Sequence, residues 1–471
     1  MCNSLKLILI VSTLAVLFWP GIQHHWQTAH DVYFVPADAA QYIPSFFKYD
    51  PRDPISTTYT KEYYLQAVCP PLYKWMTATA SRFADVRSVQ LTIMYLAYAV
   101  FLAVMGRVGW VLGGAVLSFA VMVLTVTGWI FFGLGFLGGT PRMYAYPLIS
   151  IILYALICDR PIVLAAVSVL GASVYPIVGV IGGICLTAWV LFKPLAGSGR
   201  VSEWSWPRRL GILAITGFLA LILLIPLFLG SEPYGRRVVP ADIATYPEAG
   251  PDGNYRVYDQ LPYRLFGQET LVYYLGPMYA HGDPLVRWTN IHKTLEPETL
   301  LLVVAFAGML LLVIIAFGLR SILKSDCRDG GIRVIGFFAI CGALHVIAWI
   351  AAPYMYIPAR YFMFSLPFLI TLIFPWSLYT LLKSITGLRA SLKRHAAVFL
   401  VVIGLYLLMF GGRGNVAFSE PALKQPEKRL FDAIASLPKN AVVAGWPVGQ
   451  LRKVEYVTRR NVFLTGDLHQ V

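Results

Sequence analysis

What this chain keeps out of its apolar runs is charge. Aspartate, glutamate, lysine and arginine make up only 13% of it, against 58% hydrophobic residues. The runs 88–106, 161–192, 210–230, 299–319 and 361–382 carry none of the four until their ends. Proton- and ion-coupled transporters draw on carboxylates or basic groups near the bilayer midplane, and often on broken helices in matching halves. Neither pattern is present. Cysteines and tyrosines aside, His345 is the single titratable group deep in a run, and it reads as a hydrogen-bonded packing residue.

Other absences narrow the chemistry. The cysteines Cys2, Cys69, Cys158, Cys185, Cys327 and Cys341 form no CxxC pair and no disulfide framework. The sequence holds no GxxxxGK[ST] phosphate loop, no DxD pair for a nucleotide-sugar metal, no HExxH and no GxSxG. The start, MCNSLKLILIVSTLAVLFWPG, resembles a signal peptide but lacks a small-residue cleavage site, so the expectation is an uncleaved anchor.

What is there is a recurrence of apolar runs, each long enough to cross a bilayer. Read in order, they predict about eleven spans: 4–22, 88–106, 109–130, 141–158, 161–175, 177–192, 210–230, 299–319, 334–352, 361–382 and 396–411. The expected fold class is an all-α polytopic membrane bundle. The net charge of +14 does not form one nucleic-acid-like patch; the basic residues punctuate the runs. With the N-terminus inside, the short inner loops collect Arg107, Arg160, the segment 193–209, the segment 320–333 and the segment 383–394, a positive-inside bias. That topology is N-in and C-out. The expected organisation is a transmembrane module over 1–411, with outer loops 23–87 and 231–298, and an outer tail over 412–471.

Loops are where a membrane protein can hold polar chemistry, because the bilayer core forbids unsatisfied groups. In the first outer loop, the apolar and aromatic positions after Pro70-Pro71 recur at helical spacing, which predicts an amphipathic surface helix. The tail predicts helix, strand, connection, strand: a helix from Pro426 with Leu430, Ile434 and Leu437 on one face, then Val442-Val443 and Val462-Phe463-Leu464. Some sixty residues with few apolar positions bury little core alone. The tail is therefore either a cap docked on the bundle or the opening of a truncated α/β domain.

The charges that do touch apolar segments share one predicted depth. Asp31 and Asp38 follow the first span, Arg142 opens the fourth in LGGTPRMYAYPL, and Arg360 opens the tenth in IPARYFMFSLP. Snorkelling arginines and solvated aspartates are the plain alternative. A ring of carboxylates and guanidinium groups at the outer interface also suits transfer of a sugar from a lipid phosphate. A carboxylate takes the proton of an attacking hydroxyl, and arginines bind phosphate oxygens through a planar fork. The lipid carrier has already activated the sugar, so no nucleotide is needed.

This layout resembles the C-type (GT-C fold) membrane glycosyltransferases, including uncharacterised bacterial multi-span proteins of that type. The resemblance rests on the multi-span bundle, the long first outer loop with an aspartate soon after the first span, and the PARYFMFSLPFLI segment. It implies a polyprenyl-phosphate-linked sugar as donor, with Arg360 and its neighbour Tyr361 at the donor phosphate, joined by Arg142. It places Asp38 where the catalytic aspartate stands, with Asp31 as the competitor; Asp38 lies further out and opens a short predicted helix, Ala39-Ala40-Gln41-Tyr42. Several sugar-transferring branches carry a DE or EE pair immediately after the first span, and this chain does not. The acceptor, a glycan, lipid or protein, stays open. No cofactor is fixed. A divalent metal would draw on Asp50 and Asp53, while His24, His25, His30 and Asp31 match no standard ligand spacing. Arg236, Arg237 and Tyr263 in the tyrosine-rich second outer loop form a candidate substrate surface, or equally an interfacial belt. A transporter or flippase, and a non-catalytic assembly or sensing protein, are the rival readings.

Overall fold

In the computed structural model of this protein, the described residues are 23, 26–27, 29–31, 33–35, 39–47, 62–127, 136, 138–192, 204–229, 313–320, 322–323, 328–351, 360–386, 425–438, 441–444 and 453–462. They are mostly helical. The predicted spans 4–22 and 396–411, and most of 299–319, lie outside them.

The first loop supplies a one-turn helix α1 (Ala39–Tyr42), a 3₁₀ turn Ile43–Phe46, and α2 (Pro71–Ala80). The long helix α3 (Val86–Thr127) follows. At 1.5 Å per residue, a straight helix of 42 residues would be about 63 Å long, twice the hydrocarbon core. It is not straight. Gly114 has φ of 72°, a left-handed conformation that glycine adopts without a Cβ clash, and Gly113 is extended. The helix folds back on itself there. Ser118 Oγ donates to the Gly106 carbonyl at 2.8 Å, a contact impossible across twelve residues of one rod. The turn expected at Arg107 therefore falls at Gly113–Gly114, and Arg107 is an exposed residue inside the first arm.

Beyond it run α4 (Ala145–Ile157), α5 (Pro161–Val174), α6 (Pro176–Leu191), α7 (Trp206–Leu229) and α8 (Arg328–Ile350). Prolines open α5 and α6, where a missing N–H costs nothing and the fixed φ suits a helix start. Then come α9 (Arg360–Met363) and α10 (Phe374–Thr386), joined through a π-helical turn Leu369–Ile373. By length and composition, three described helices, α3, α7 and α8, can cross a membrane. Past Arg208 and Arg209 the helix α7 carries no charge and buries little of its surface, with Ile215 and Phe218 each 63% accessible, as a lipid-facing helix does.

Side-chain links fix which helix ends lie together. Arg333 of α8 donates to the Leu156 carbonyl at 3.1 Å, pairs with Asp159 at 3.5 Å, and lies 5.4 Å over the Trp189 ring. The α4–α5 turn, the C-terminal end of α6 and the start of α8 thus share one end of the bundle. Arg107 and Arg160 lie within electrostatic reach of Cys158 there. The opposite end gathers α2, the turn before α4, the α5–α6 turn at Tyr175, and α9. One apolar core runs between them, built on residues such as Phe101, Tyr146, Ile152, Val178, Phe337 and Phe368.

The tail comprises α11 (Gln425–Ala435), β1 (Val442–Val443), α12 (Val454–Thr458) and β2 (Asn461–Val462), with the two strands parallel. Its buried face is Phe431 and Ile434; Leu430 and Leu437, expected on that face, are 49% and 41% exposed. Phe431, Ile434, Val454 and Val457 form a second apolar cluster with Val35, Ala39, Ile43 and Phe47 of the first loop.

Candidate functional site

The predicted site is best followed from Tyr73, which is fully buried in α2. Its hydroxyl donates to the Gly139 carbonyl at 3.2 Å. Burial pushes that hydroxyl well above its ordinary pKa, so it stays protonated and keeps donating. The ring of Tyr42, the last residue of α1, meets Tyr73 edge-on at 6.3 Å and Tyr64 at 5.5 Å. One side chain thus touches the helix that begins directly after Asp38 and the turn that leads to Arg142.

That turn is Gly138-Gly139-Thr140, followed by a 3₁₀ helix Pro141–Tyr144. Gly138 and Gly139 have φ of 87° and 63°, and a Cβ at Gly139 would stand 2.8 Å from the Cβ of Gln90. Only glycine fits. Gln90 is itself fixed, its amide donating to Thr77 Oγ1 at 2.7 Å. Pro141 then sets the helical φ, and Met143 N–H closes on the Thr140 carbonyl at 2.9 Å. The half-buried Arg142 is therefore presented from a rigid turn.

Arg142 lies within electrostatic reach of Tyr146, one turn on, and Tyr146 within reach of Tyr175 at the α5–α6 turn. Tyr175 in turn reaches Tyr361. Phe364 seals the group, edge-on to Tyr146 at 5.4 Å and to Tyr175 at 5.6 Å. Arg360 opens α9 next to Tyr361, and His345 of α8, buried, stacks at 5.9 Å on Phe362. A run of tyrosines thus connects the Arg142 turn with α9. Tyr144, beside Arg142, has a buried hydroxyl with no hydrogen-bond partner among the described residues. Such a group costs about 1–3 kcal/mol when left unmade.

Asp31 sits elsewhere in this end of the molecule. Its Oδ1 accepts from the Tyr33 N–H at 2.9 Å, and its Oδ2 lies 3.9 Å from Lys428 of the tail. Asp38, Arg236, Arg237 and Tyr263 lie outside the described residues, as do His24, His25, Asp50 and Asp53. His30 donates from Nδ1 to the Trp26 carbonyl at 2.7 Å, and no group of three or more His, Cys, Asp or Glu able to hold a metal occurs among the described residues. Tyr73, Tyr144, Tyr146 and Tyr175 are not singled out by the sequence, since 27 tyrosines are spread along the chain.

No family model matches the chain, and no curated protein matches it significantly. Among solved structures it is similar to the crystal structure of ArnT from Cupriavidus metallidurans in the apo state. The identity is 15%, the TM-score 0.45, and the likeness covers 96% of this chain and 85% of that one.

Proposed function

We propose that this protein is an integral membrane glycosyltransferase that moves a sugar from a polyprenyl-phosphate donor to an acceptor hydroxyl on the extracytoplasmic face. The observation that carries the reading is the double contact of Tyr73. It anchors α1, which follows Asp38, and the glycine turn that leads to Arg142. The tyrosine run from Arg142 to Tyr361 extends the same neighbourhood to Arg360.

In this reading Asp38 takes the proton as the acceptor oxygen attacks the anomeric carbon, a role worth about 10²–10⁴-fold. The bond from that carbon to the phosphate oxygen breaks, and Arg142 and Arg360 stabilise the negative charge gathering on the departing lipid phosphate. Displacement in one step inverts the anomeric carbon. The buried hydroxyl of Tyr144 is a ready donor to a phosphate or sugar oxygen beside Arg142. Arg107, Arg160 and Arg333 at the opposite end of the bundle support placing that end in the cytoplasm.

The test is complementation of a knockout with wild type, Asp38→Asn or Asp38→Glu, reading glycolipids and glycans. The Asn variant is expected to restore nothing while still reaching the membrane in normal amount. Restoration by Asp38→Asn removes the base from the mechanism.

A further inference from the structure

The tail does more than cover the loop. We infer that helices α11 and α12 of the tail form a clamp that sets the position of the first-loop segment 39–47, with Tyr456 in α12 and Arg459 directly after it as the positioning residues. This rests on the transferase reading above, because the segment that the clamp grips begins one residue after the proposed base.

The grip has an apolar part and a cationic part. Val454 and Val457 of α12 and Phe431 and Ile434 of α11 bury against Ala39, Ile43 and Phe47. Around that contact two guanidinium groups interlock loop, bundle and tail. Arg87, in the first turn of α3, lies 4.2 Å over the Tyr456 ring and 5.9 Å over Phe47. Arg459 lies 5.0 Å over Phe47 and pairs with Asp85 at 2.5 Å, immediately before α3. Phe47 thus lies within cation–π range of both a bundle arginine and a tail arginine. Further out, Lys428 pairs with Asp31 and stands 5.0 Å over the Tyr33 ring, while the Tyr33 hydroxyl donates to Asp432.

Two consequences follow. Asp31 has one oxygen on the Tyr33 N–H and the other 3.9 Å from Lys428, so its carboxylate faces the tail, and the reading above keeps Asp38 as the base. And α1 is fixed from both sides, by Tyr73 through Tyr42 and by the tail through Ala39 and Ile43. A catalytic carboxylate displaced by about 1 Å can lose 10²-fold in rate, which is the scale on which a clamp of this kind acts.

The experiment uses the full-length protein in nanodiscs, as wild type, Tyr456→Ala, Tyr456→Phe, Arg459→Glu and the swap Arg459→Glu with Asp85→Arg. Hydrogen exchange across 39–47 reads the grip, thermal unfolding reads the fold, and kcat and donor KM are read with a polyprenyl-phosphate sugar. Tyr456→Ala and Arg459→Glu are expected to speed exchange in 39–47 and to lower kcat about tenfold or more, with donor KM and bundle unfolding little changed. Tyr456→Phe keeps the ring and should behave as wild type, and the charge swap should recover both readouts. Unaltered exchange in 39–47 overturns the clamp. Faster exchange with unchanged kcat overturns the positioning role. A wild-type protein that transfers no sugar overturns the transferase reading and the positioning role with it, while the exchange data still decide whether the tail holds the loop.

Discussion

Tyr73 and Gly139 are joined by a buried hydrogen bond of 3.2 Å, which ties a helix of the first loop directly to the turn ahead of Arg142. Tyr73→Phe keeps the packing and removes only that bond, and should cost about 1 kcal/mol. Tyr73→Ala also opens a cavity and should cost about 3–5 kcal/mol. Thermal unfolding in detergent separates the two; an alanine variant as stable as wild type would mean that Tyr73 is not the joint between these elements.

Tyr144→Phe removes a buried hydroxyl that has no partner among the described residues. The unliganded protein should be as stable as wild type or slightly more so, because nothing is left unsatisfied. If the hydroxyl meets the donor, affinity for the polyprenyl-phosphate sugar should fall about tenfold, roughly 1.4 kcal/mol. An unaltered donor KM in the Phe variant removes Tyr144 from the donor site.

Lysine at position 142 or 360 keeps the charge but not the planar fork. Arg142→Lys and Arg360→Lys should each retain part of the rate, lowering kcat/KM by about tenfold, with alanine at either place lower still. Full activity in either lysine variant would mean that this guanidinium merely anchors the chain at the headgroups.

The hydrogen bond from Tyr33 to Asp432 raises the Tyr33 pKa, with burial and the charges of Asp432 and Asp31 adding to it. The folded value lies above the unfolded one near 10, so this link contributes fully below about pH 10 and is lost as pH rises through the folded value. Protection of α11 from hydrogen exchange should therefore weaken in alkali, and Tyr33→Phe should flatten that dependence. The same alkaline weakening in the Phe variant would place its cause elsewhere.

Much of the bundle was legible in the sequence because membrane helices announce themselves by apolar length. The runs 141–158, 161–175 and 177–192 match the observed helices within a few residues. The α3 hairpin is less legible, because Arg107 has the look of a loop charge without being one. It is an exposed side chain on a helix that continues to Gly113, and a guanidinium on a long stem can reach polar surroundings from there. In the tail, apolar residues occur on two adjacent stripes of a short helix, and periodicity alone does not say which is buried. Phe431 prevailed over Leu430 because it meets the first loop, a partner almost four hundred residues away. Arg142 and Arg360 stood out as charges at the edges of uncharged runs. Tyr146 and Tyr175 did not, since a tyrosine in a membrane protein carries no signal until its neighbours are known.

Tyr33 and Asp432 are separated by 399 residues of sequence. At about 5–20 residues per second of synthesis, tens of seconds pass between the emergence of one and of the other. The entrance of the chain stays unfinished throughout that interval, with Val35 and Ile43 lacking their eventual cover. Assembly at this face is thus gated by completion of the polypeptide, and a nascent chain cut short before α11 carries an adhesive apolar patch along α1 and the turn after it.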